Sequence, residues 1–273
     1  MSWMTLARTL ARRTGNLLEQ VIVARELARR TGVREAIPTI MDLRAKREAI
    51  RFSLDGGQLW IAWDGGFGMT ARHLLGVDSL QRLADCVQPD DTVIVDAGAH
   101  SGLFSALVKR RNPSCRLVAI EANPELHSVI RSNLESYSRW DLIPKALSDT
   151  TGPTSFFVSP EATQTSALSM ESAETFGLQP SKKIAVDSTT IDSLATELSL
   201  DRIDVLKLDI QGAEARALKG ASHFLPRIGK LLIEVTFLDE SPEDLLVSLR
   251  EEFGDPIFVQ PVAGGADLLY SRV

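Results

Sequence analysis

The chain has 273 residues, a formal net charge of -6 and a sequence pI of about 5.4, which suits one sizeable domain with a smaller attachment. An apolar fraction of 44% excludes wholesale disorder, and the acidic balance argues against nucleic acid as a partner, because neutralising phosphates requires clustered Lys and Arg. Cys86 and Cys115 lack the spacing of a zinc site, and no apolar run approaches the length of a membrane span. We therefore expect a reduced, cytoplasmic protein.

Residues 1–34 carry apolar side chains at helical spacing, with arginines mostly on the opposite side. This stripe must be covered by the body of the protein, as a lid over an acceptor site, by a second copy of the chain, or by an anionic membrane. Because much of the stripe is small, we favour packing against protein, including a possible homodimer through these helices, over membrane binding. The stripe consists of Trp3, Leu6, Leu10, Leu17, Val21, Ala24 and Ala28.

Two strand-like runs, residues 50–54 and 59–63, flank Asp55-Gly56-Gly57 and predict a β-hairpin. A helix is predicted over residues 73–87. We divide the chain into an N-terminal helical and hairpin cap, residues 1–70, and a second domain, residues 71–273.

From Thr92 onward the pattern alternates strand, turn and helix. The Ser-, Thr- and Pro-rich stretch 150–183 predicts an excursion over the surface. Continuous apolar strands separated by helices indicate an α/β fold, with a mostly parallel sheet covered on both faces. The predicted strands are 92–97, 116–121, 141–147, 184–188, 204–210, 231–236, 257–260 and 267–270.

A turn of small residues follows the first of these strands. Its sequence, Asp96-Ala97-Gly98-Ala99-His100-Ser101-Gly102, lacks the G-x-G-x-x-G spacing of a dinucleotide site, which disfavours an NAD-dependent oxidoreductase. It fits the acid-x-Gly-x-Gly-x-Gly turn of S-adenosylmethionine (SAM) enzymes, with His100 in the middle glycine position. The alternative is a tight strand-to-helix turn that binds no ligand.

Acidic residues at the ends of the next two predicted strands are placed to bind a nucleoside. Glu121 ends the second strand, where a carboxylate can accept both ribose hydroxyls. Ser148 and Asp149 follow the third strand, where Asp149 can accept a hydrogen bond from an adenine amino group. Glu121 could instead cap the helix near Pro124, and Asp149 could be a turn residue.

The fourth strand contains a lysine, Lys207, in an apolar run. Asp209 lies two residues along on the same face, and Glu234 in the next strand is a possible partner for Lys207. A buried lysine is costly unless it is paired. Three charges in two apolar strands favour a functional cluster over a purely structural ion pair.

Three segments resemble the FkbM-type methyltransferases: Asp96–Gly102, Glu121-Ala122-Asn123-Pro124 and Lys207–Glu214. Leu218–Ala221 and Glu234 continue a resemblance that covers roughly residues 72–240. It implies a Rossmann-like class I methyltransferase fold with a seven-strand sheet, and methylation of a hydroxyl on a sugar or a secondary metabolite. His100 stands where asparagine is frequent in the family and Gln211 where glutamate is frequent, and the loss of that carboxylate weakens any metal site.

These arguments predict a SAM pocket with a catalytic cluster beside it. Lys207, Asp209, Glu214 and His100 are the predicted catalytic residues: Asp209 or Glu214 orients or deprotonates an alcohol, and His100 is a third candidate base because histidine titrates near neutral pH. We expect no metal, and the alternative function is a non-catalytic nucleoside- or SAM-binding protein. The predicted cofactor residues are Asp96, Gly98, Ala99, His100, Gly102, Glu121, Ala122, Asn123, Ser148, Asp149 and Asp209.

Overall fold

The structure is a computed structural model that describes residues 49–54, 57–62, 83–158, 166–168, 182–236, 241–262 and 265–272. The predicted N-terminal helices, and the predicted helix up to residue 82, lie outside the described residues. The strands are β1 (Ala49–Leu54), β2 (Gly57–Ala62), β3 (Val93–Ala97), β4 (Arg116–Ile120), β5 (Trp140–Ile143), β6 (Ala146–Leu147), β7 (Gly152–Val158), β8 (Lys182–Thr189), β9 (Ile203–Leu208), β10 (Ile228–Thr236), β11 (Phe258–Val262) and β12 (Gly265–Ser271). The α-helices are α1 (Leu103–Arg111), α2 (His127–Leu134), α3 (Ile191–Glu197), α4 (Glu214–Lys219) and α5 (Pro242–Phe253). None of the helices in these ranges is long and apolar enough to cross a bilayer.

Seven strands form the central sheet, in the order β11-β12-β10-β9-β3-β4-β5. The five strands from β10 to β5 are parallel, and β12 runs antiparallel to both of its neighbours. The chain builds β3, β4 and β5 towards one edge and then crosses over to β9 and β10 on the other side of β3. Ligands of open α/β sheets bind at such a switch point, outside the carboxyl ends of the strands.

The sheet is covered on both faces, because successive side chains of each buried strand point to opposite sides. Ile94 packs in a core with side chains of α1 and α2, whereas its neighbour Val95 packs in a second core with side chains of α3, α4 and α5. Both residues are fully buried. The mostly parallel seven-strand α/β sheet with helices on both faces is therefore confirmed.

The predicted hairpin is also confirmed, since β1 and β2 pair antiparallel. The side chain of Asn133 on α2 joins this hairpin to the body by hydrogen bonds. Its Oδ1 accepts the N–H of Trp60 at 2.6 Å, and its Nδ2 donates to the carbonyl oxygens of Trp60 and Ser101, each at 2.7 Å. Leu59 packs into the core with α1 and α2. The proposed division at residue 70 thus separates two parts that are in direct contact.

Two predictions about the middle of the chain are wrong. Residues 141–147 are not one strand, because Pro144, which has no N–H to donate, separates β5 from β6. The stretch 150–183 is not wholly an excursion over the surface, because it contains β7, which pairs with β8 in a sheet of order β6-β8-β7. Phe156 and Val158 on one face of β7 are buried, whereas Gly152-Pro153-Thr154-Ser155 at the start of β7 are typical of a turn and obscured the strand pattern.

Candidate active site

The turn after β3 requires its glycines. Gly98 and Gly102 have φ of 74° and 73°, and His100 has φ of 52°, a left-handed region that strains residues with a side chain. A Cβ added at Gly98 would lie 1.8 Å from the carbonyl oxygen of Asp209. The backbone of the turn after β3 therefore lies directly against the turn after β9.

Glu121, at the end of β4, holds this turn from the other side. Its Oε2 accepts the N–H of His100 and its Oε1 accepts the N–H of Asn123, each at 2.8 Å. Burial raises the pKa of Glu121 to about 7, although the two N–H groups act in the opposite direction. Because a carboxylate oxygen can accept more than one hydrogen bond, each oxygen can also receive a hydroxyl. The carboxylate thus fits a ligand with two neighbouring hydroxyl groups.

Asp96 is enclosed in the protein. Its Oδ2 accepts the hydroxyl of Ser105 at 2.6 Å, and its Oδ1 lies 3.2 Å from the ammonium of Lys207. The sheet register places Asp96 directly opposite Lys207, and the Asp96 side chain has no exposed surface. A direct contact between Asp96 and the cofactor stays a prediction, and the enclosure argues that Asp96 supports the site indirectly.

Lys207 joins the two turns through its ammonium group. Besides Asp96, the ammonium lies 3.3 Å from Oδ2 of Asp209 and donates to the carbonyl oxygen of Gly98 at 3.3 Å. Burial alone would lower the pKa of Lys207, but the charges of Asp209 and Asp96 outweigh it and raise the pKa. Lys207 is therefore a permanent cation that fixes Asp209 beside the glycine turn.

The predicted pairing of Lys207 with Glu234 is wrong, because the register sets Leu232 opposite Lys207. Glu234 lies two residues further along β10, next to Asp209. Gln211, with φ of 56°, reaches both carboxyl groups: its Nε2 lies 3.0 Å from Oδ1 of Asp209 and 2.9 Å from Oε2 of Glu234. Glu234 was predicted to join the charged cluster but not to lie beside Asp209, and Gln211 is a member of the site that the sequence prediction did not include, although it lies in a segment that resembles the family.

Glu214 is buried and bound to backbone. Its Oε1 accepts the N–H of Ile210 at 2.7 Å and its Oε2 accepts the N–H of Gly212 at 2.8 Å. Only 1% of the residue is exposed, so an acceptor cannot reach its carboxylate. We therefore correct the predicted role of Glu214 from a base to a residue that holds the turn between β9 and α4.

Ser148 and Asp149 follow β6, and their contacts point to α4. Asp149 pairs with Arg216 at 3.0 Å and lies 3.8 Å from Lys219, and the hydroxyl of Ser148 donates to Asp149 at 3.1 Å. The hydrogen bond from Arg216 contributes most to lowering the pKa of Asp149. The predicted adenine contact at Ser148 and Asp149 stays a prediction.

The remaining predicted residues lie at the same edge of the sheet. The N–H of Ala99 donates to the carbonyl oxygen of Ile120 at 3.0 Å, and Ala122 is buried beside Glu121. Asn123 accepts the N–H of the residue two positions later, while its buried Nδ2 has no hydrogen-bond partner among the described residues. The Nδ1 atom of His100 lies 3.1 Å from the hydroxyl of Ser101. This contact does not test the role of His100 as a base, which stays a prediction.

This site defines the class of protein. A glycine turn lies at the switch point of a mostly parallel sheet, and a carboxylate ends the next strand, as in nucleoside-binding α/β proteins. Among the described residues, no group of three or more His, Cys, Asp or Glu side chains is arranged to hold a metal ion. The strand order and the site define a Rossmann-like fold of the class I methyltransferase type.

The sequence model of a protein family, described as the Methyltransferase FkbM domain, matches residues 96–255 of the chain. The chain therefore belongs to the FkbM methyltransferase family, and the cofactor of this domain is S-adenosylmethionine. The predicted resemblance to the family is confirmed.

Curated relatives match the chain over about half of its length. Methyltransferase sdnD of Sordaria araneosa is 29% identical over 158 residues, which cover 48% of this chain and 61% of the relative. The 2-O-methyltransferase NoeI of Sinorhizobium fredii is 22% identical over 156 residues, which cover 54% of this chain and 64% of the relative. The precorrin-6y C5,15-methyltransferase structure of Geobacter metallireducens is 15% identical, with a TM-score of 0.43 over 73% of this chain and 89% of that chain.

Proposed function

We propose that the protein transfers the methyl group of SAM to a hydroxyl oxygen of a small molecule, such as a sugar or a secondary metabolite. One observation carries this proposal: the carboxylate of Asp209 is accessible, because its side chain is 38% exposed at the carboxyl end of β9. Asp96 and Glu214 are enclosed. Asp209 is thus more accessible to an acceptor than Asp96 or Glu214.

Glu121 and the turn from Gly98 to Gly102 are the groups that would hold the cofactor. The Glu121 carboxylate suits the two ribose hydroxyls, and the glycines allow a ligand to approach the backbone. When bound, SAM supplies a methyl group on a cationic sulfur that an acceptor oxygen can displace.

Asp209 supplies the acid–base chemistry that a hydroxyl acceptor needs. Its ionised carboxylate accepts a hydrogen bond from the hydroxyl, which orients the oxygen, and takes the proton as the oxygen–carbon bond forms. Orientation of reacting groups contributes about 7–11 kcal/mol at best, and a positioned base adds about 10²–10⁴-fold. Lys207, held by Asp96, keeps the Asp209 carboxylate in place and ionised.

Two further points support oxygen as the methylated atom. A carboxylate base suits a neutral hydroxyl, which must lose its proton during transfer. One relative, from Sinorhizobium fredii, is named a 2-O-methyltransferase.

The test uses SAM with a ¹³C-labelled methyl group and a panel of glycosyl and polyketide hydroxyls. We expect a labelled O-methyl product, identified by NMR, and a loss of about 10²–10⁴-fold in turnover for Asp209→Asn with unchanged folding. Asp255→Asn is the matched control, because Asp255 is 74% exposed in a surface ion pair. Full turnover by Asp209→Asn, or a label on nitrogen or carbon, would contradict the proposal. SAM binding without transfer to any acceptor would favour the non-catalytic alternative.

A further inference from the structure

The carboxyl groups of Asp209 and Glu234 lie side by side at the carboxyl end of the sheet. The register of β9 and β10 sets Ile233 opposite Leu208, so the residues that follow are neighbours. Gln211 donates to both carboxyl groups, and the two groups are within hydrogen-bond reach of each other. Two carboxylates at this separation repel each other strongly, so the pair retains a proton at neutral pH.

The charges around the pair decide which carboxyl group holds that proton. The ammonium of Lys207 lies 3.3 Å from Asp209 and stabilises its ionised form. Glu234 instead faces two acidic residues, Asp267, its register partner on β12, and Glu214 at the start of α4. The proton therefore resides on Glu234 and the negative charge on Asp209.

The titration of the two groups agrees with this geometry. Burial raises the pKa of Glu234 to about 10, and the charge of Asp209 adds to the effect. The partly buried position of Asp209 also disfavours its ionised form, but the charge of Lys207 and the hydrogen bonds from Glu234 and Gln211 outweigh this effect and lower the pKa of Asp209. The pair thus carries one proton and one negative charge over the physiological range.

We propose that Glu234 is a positioning residue for methyl transfer, whose protonated carboxyl group donates a hydrogen bond to Asp209 and holds it ready to receive the acceptor proton. This inference rests on the proposed function. During transfer the hydroxyl proton moves to Asp209 while Glu234 keeps its own proton. The pair then holds two protons and no charge, until one proton returns to the solvent.

The protonation of Glu234 can be tested on the cofactor-free protein by infrared spectroscopy with ¹³C-carboxyl-labelled glutamate. We expect a glutamic acid C=O band at pH 9, where Glu121 is ionised, that disappears as the pH rises through about 10. The band should be absent from Glu234→Gln and retained in Glu197→Gln, whose side chain is 53% exposed in a surface ion pair. No labelled acid band at pH 9, or a band that persists in Glu234→Gln, would overturn the proposal whether or not an acceptor is known.

The positioning role is tested by comparing turnover of Glu234→Gln and Glu234→Leu. The glutamine variant keeps an N–H donor for Asp209 and should stay within about threefold of the wild-type kcat, whereas the leucine variant should lose at least about tenfold. Equal turnover in both variants, whether high or low, would contradict a hydrogen bond from Glu234 as the source of the effect. If the leucine variant does not fold, the infrared result decides.

Discussion

Replacing Gly98 by alanine tests the contact between the turns after β3 and β9. The new Cβ would lie 1.8 Å from the carbonyl oxygen of Asp209, whereas real Cβ contacts essentially never fall below 3.0 Å. The two turns must therefore separate by at least 1.2 Å. The left-handed φ of 74° at this position adds about 1–2 kcal/mol of backbone strain for any residue with a Cβ.

The separation changes the site directly. The turn after β3 contains the His100 N–H that is bonded to Glu121, and the turn after β9 carries Asp209. A displacement of about 1 Å can cost about 10²-fold in a reaction that depends on orientation. We expect Gly98→Ala to lose at least about tenfold in SAM affinity, measured by calorimetry, a factor that corresponds to about 1.4 kcal/mol.

Gly254→Ala is the control for backbone strain, since Gly254 also has a positive φ, 81°, but, apart from its chain neighbours, none of the described residues has an atom within 4 Å of the added Cβ. It should lose stability, by about 1–3 kcal/mol, and bind SAM normally. Wild-type SAM affinity in a folded Gly98→Ala variant would refute the reasoning.

Two further predictions concern Glu121 and Asn133. Because ionised Glu121 accepts the ribose hydroxyls and its pKa is about 7, SAM affinity should rise about tenfold from pH 6 to pH 8. Calorimetry should find no such dependence in Glu121→Gln. A flat pH profile of SAM affinity in the wild type would contradict the assignment. Asn133→Ala removes three hydrogen bonds between the hairpin, α2 and the glycine turn. It should therefore lower the free energy of unfolding, measured by urea titration, by about 1–3 kcal/mol. A loss below about 0.5 kcal/mol would show that these hydrogen bonds are unimportant for stability.

Much of the fold could be predicted from local patterns. Buried parallel strands such as Val93–Ala97 are mostly apolar runs, and the acid near the end of this strand and the glycines that follow it are typical of a ligand turn. Strand β7 escaped prediction because its first half, Gly152-Pro153-Thr154-Ser155, consists of residues that are typical of turns. The buried apolar residues Phe156 and Val158 come only at the end of the strand.

The site could be predicted only in part, because its central contacts depend on register. Asp96 and Lys207 are far apart in sequence and meet only because β3 pairs with β9 at those positions. The pairing of Glu234 with Asp209 depends likewise on the register of β10, and a shift of one residue would turn a side chain to the other face. The backbone contacts of Glu214 had no local signal beyond its place at the start of a helix.

A structure of the protein with S-adenosylhomocysteine bound tests the account most directly. We predict both ribose hydroxyls within hydrogen-bond distance of the Glu121 carboxylate, with the sulfur facing an open space bordered by Asp209. A ligand bound at another edge of the sheet, or a sulfur enclosed away from Asp209, would contradict the site and the transfer that we assign to it.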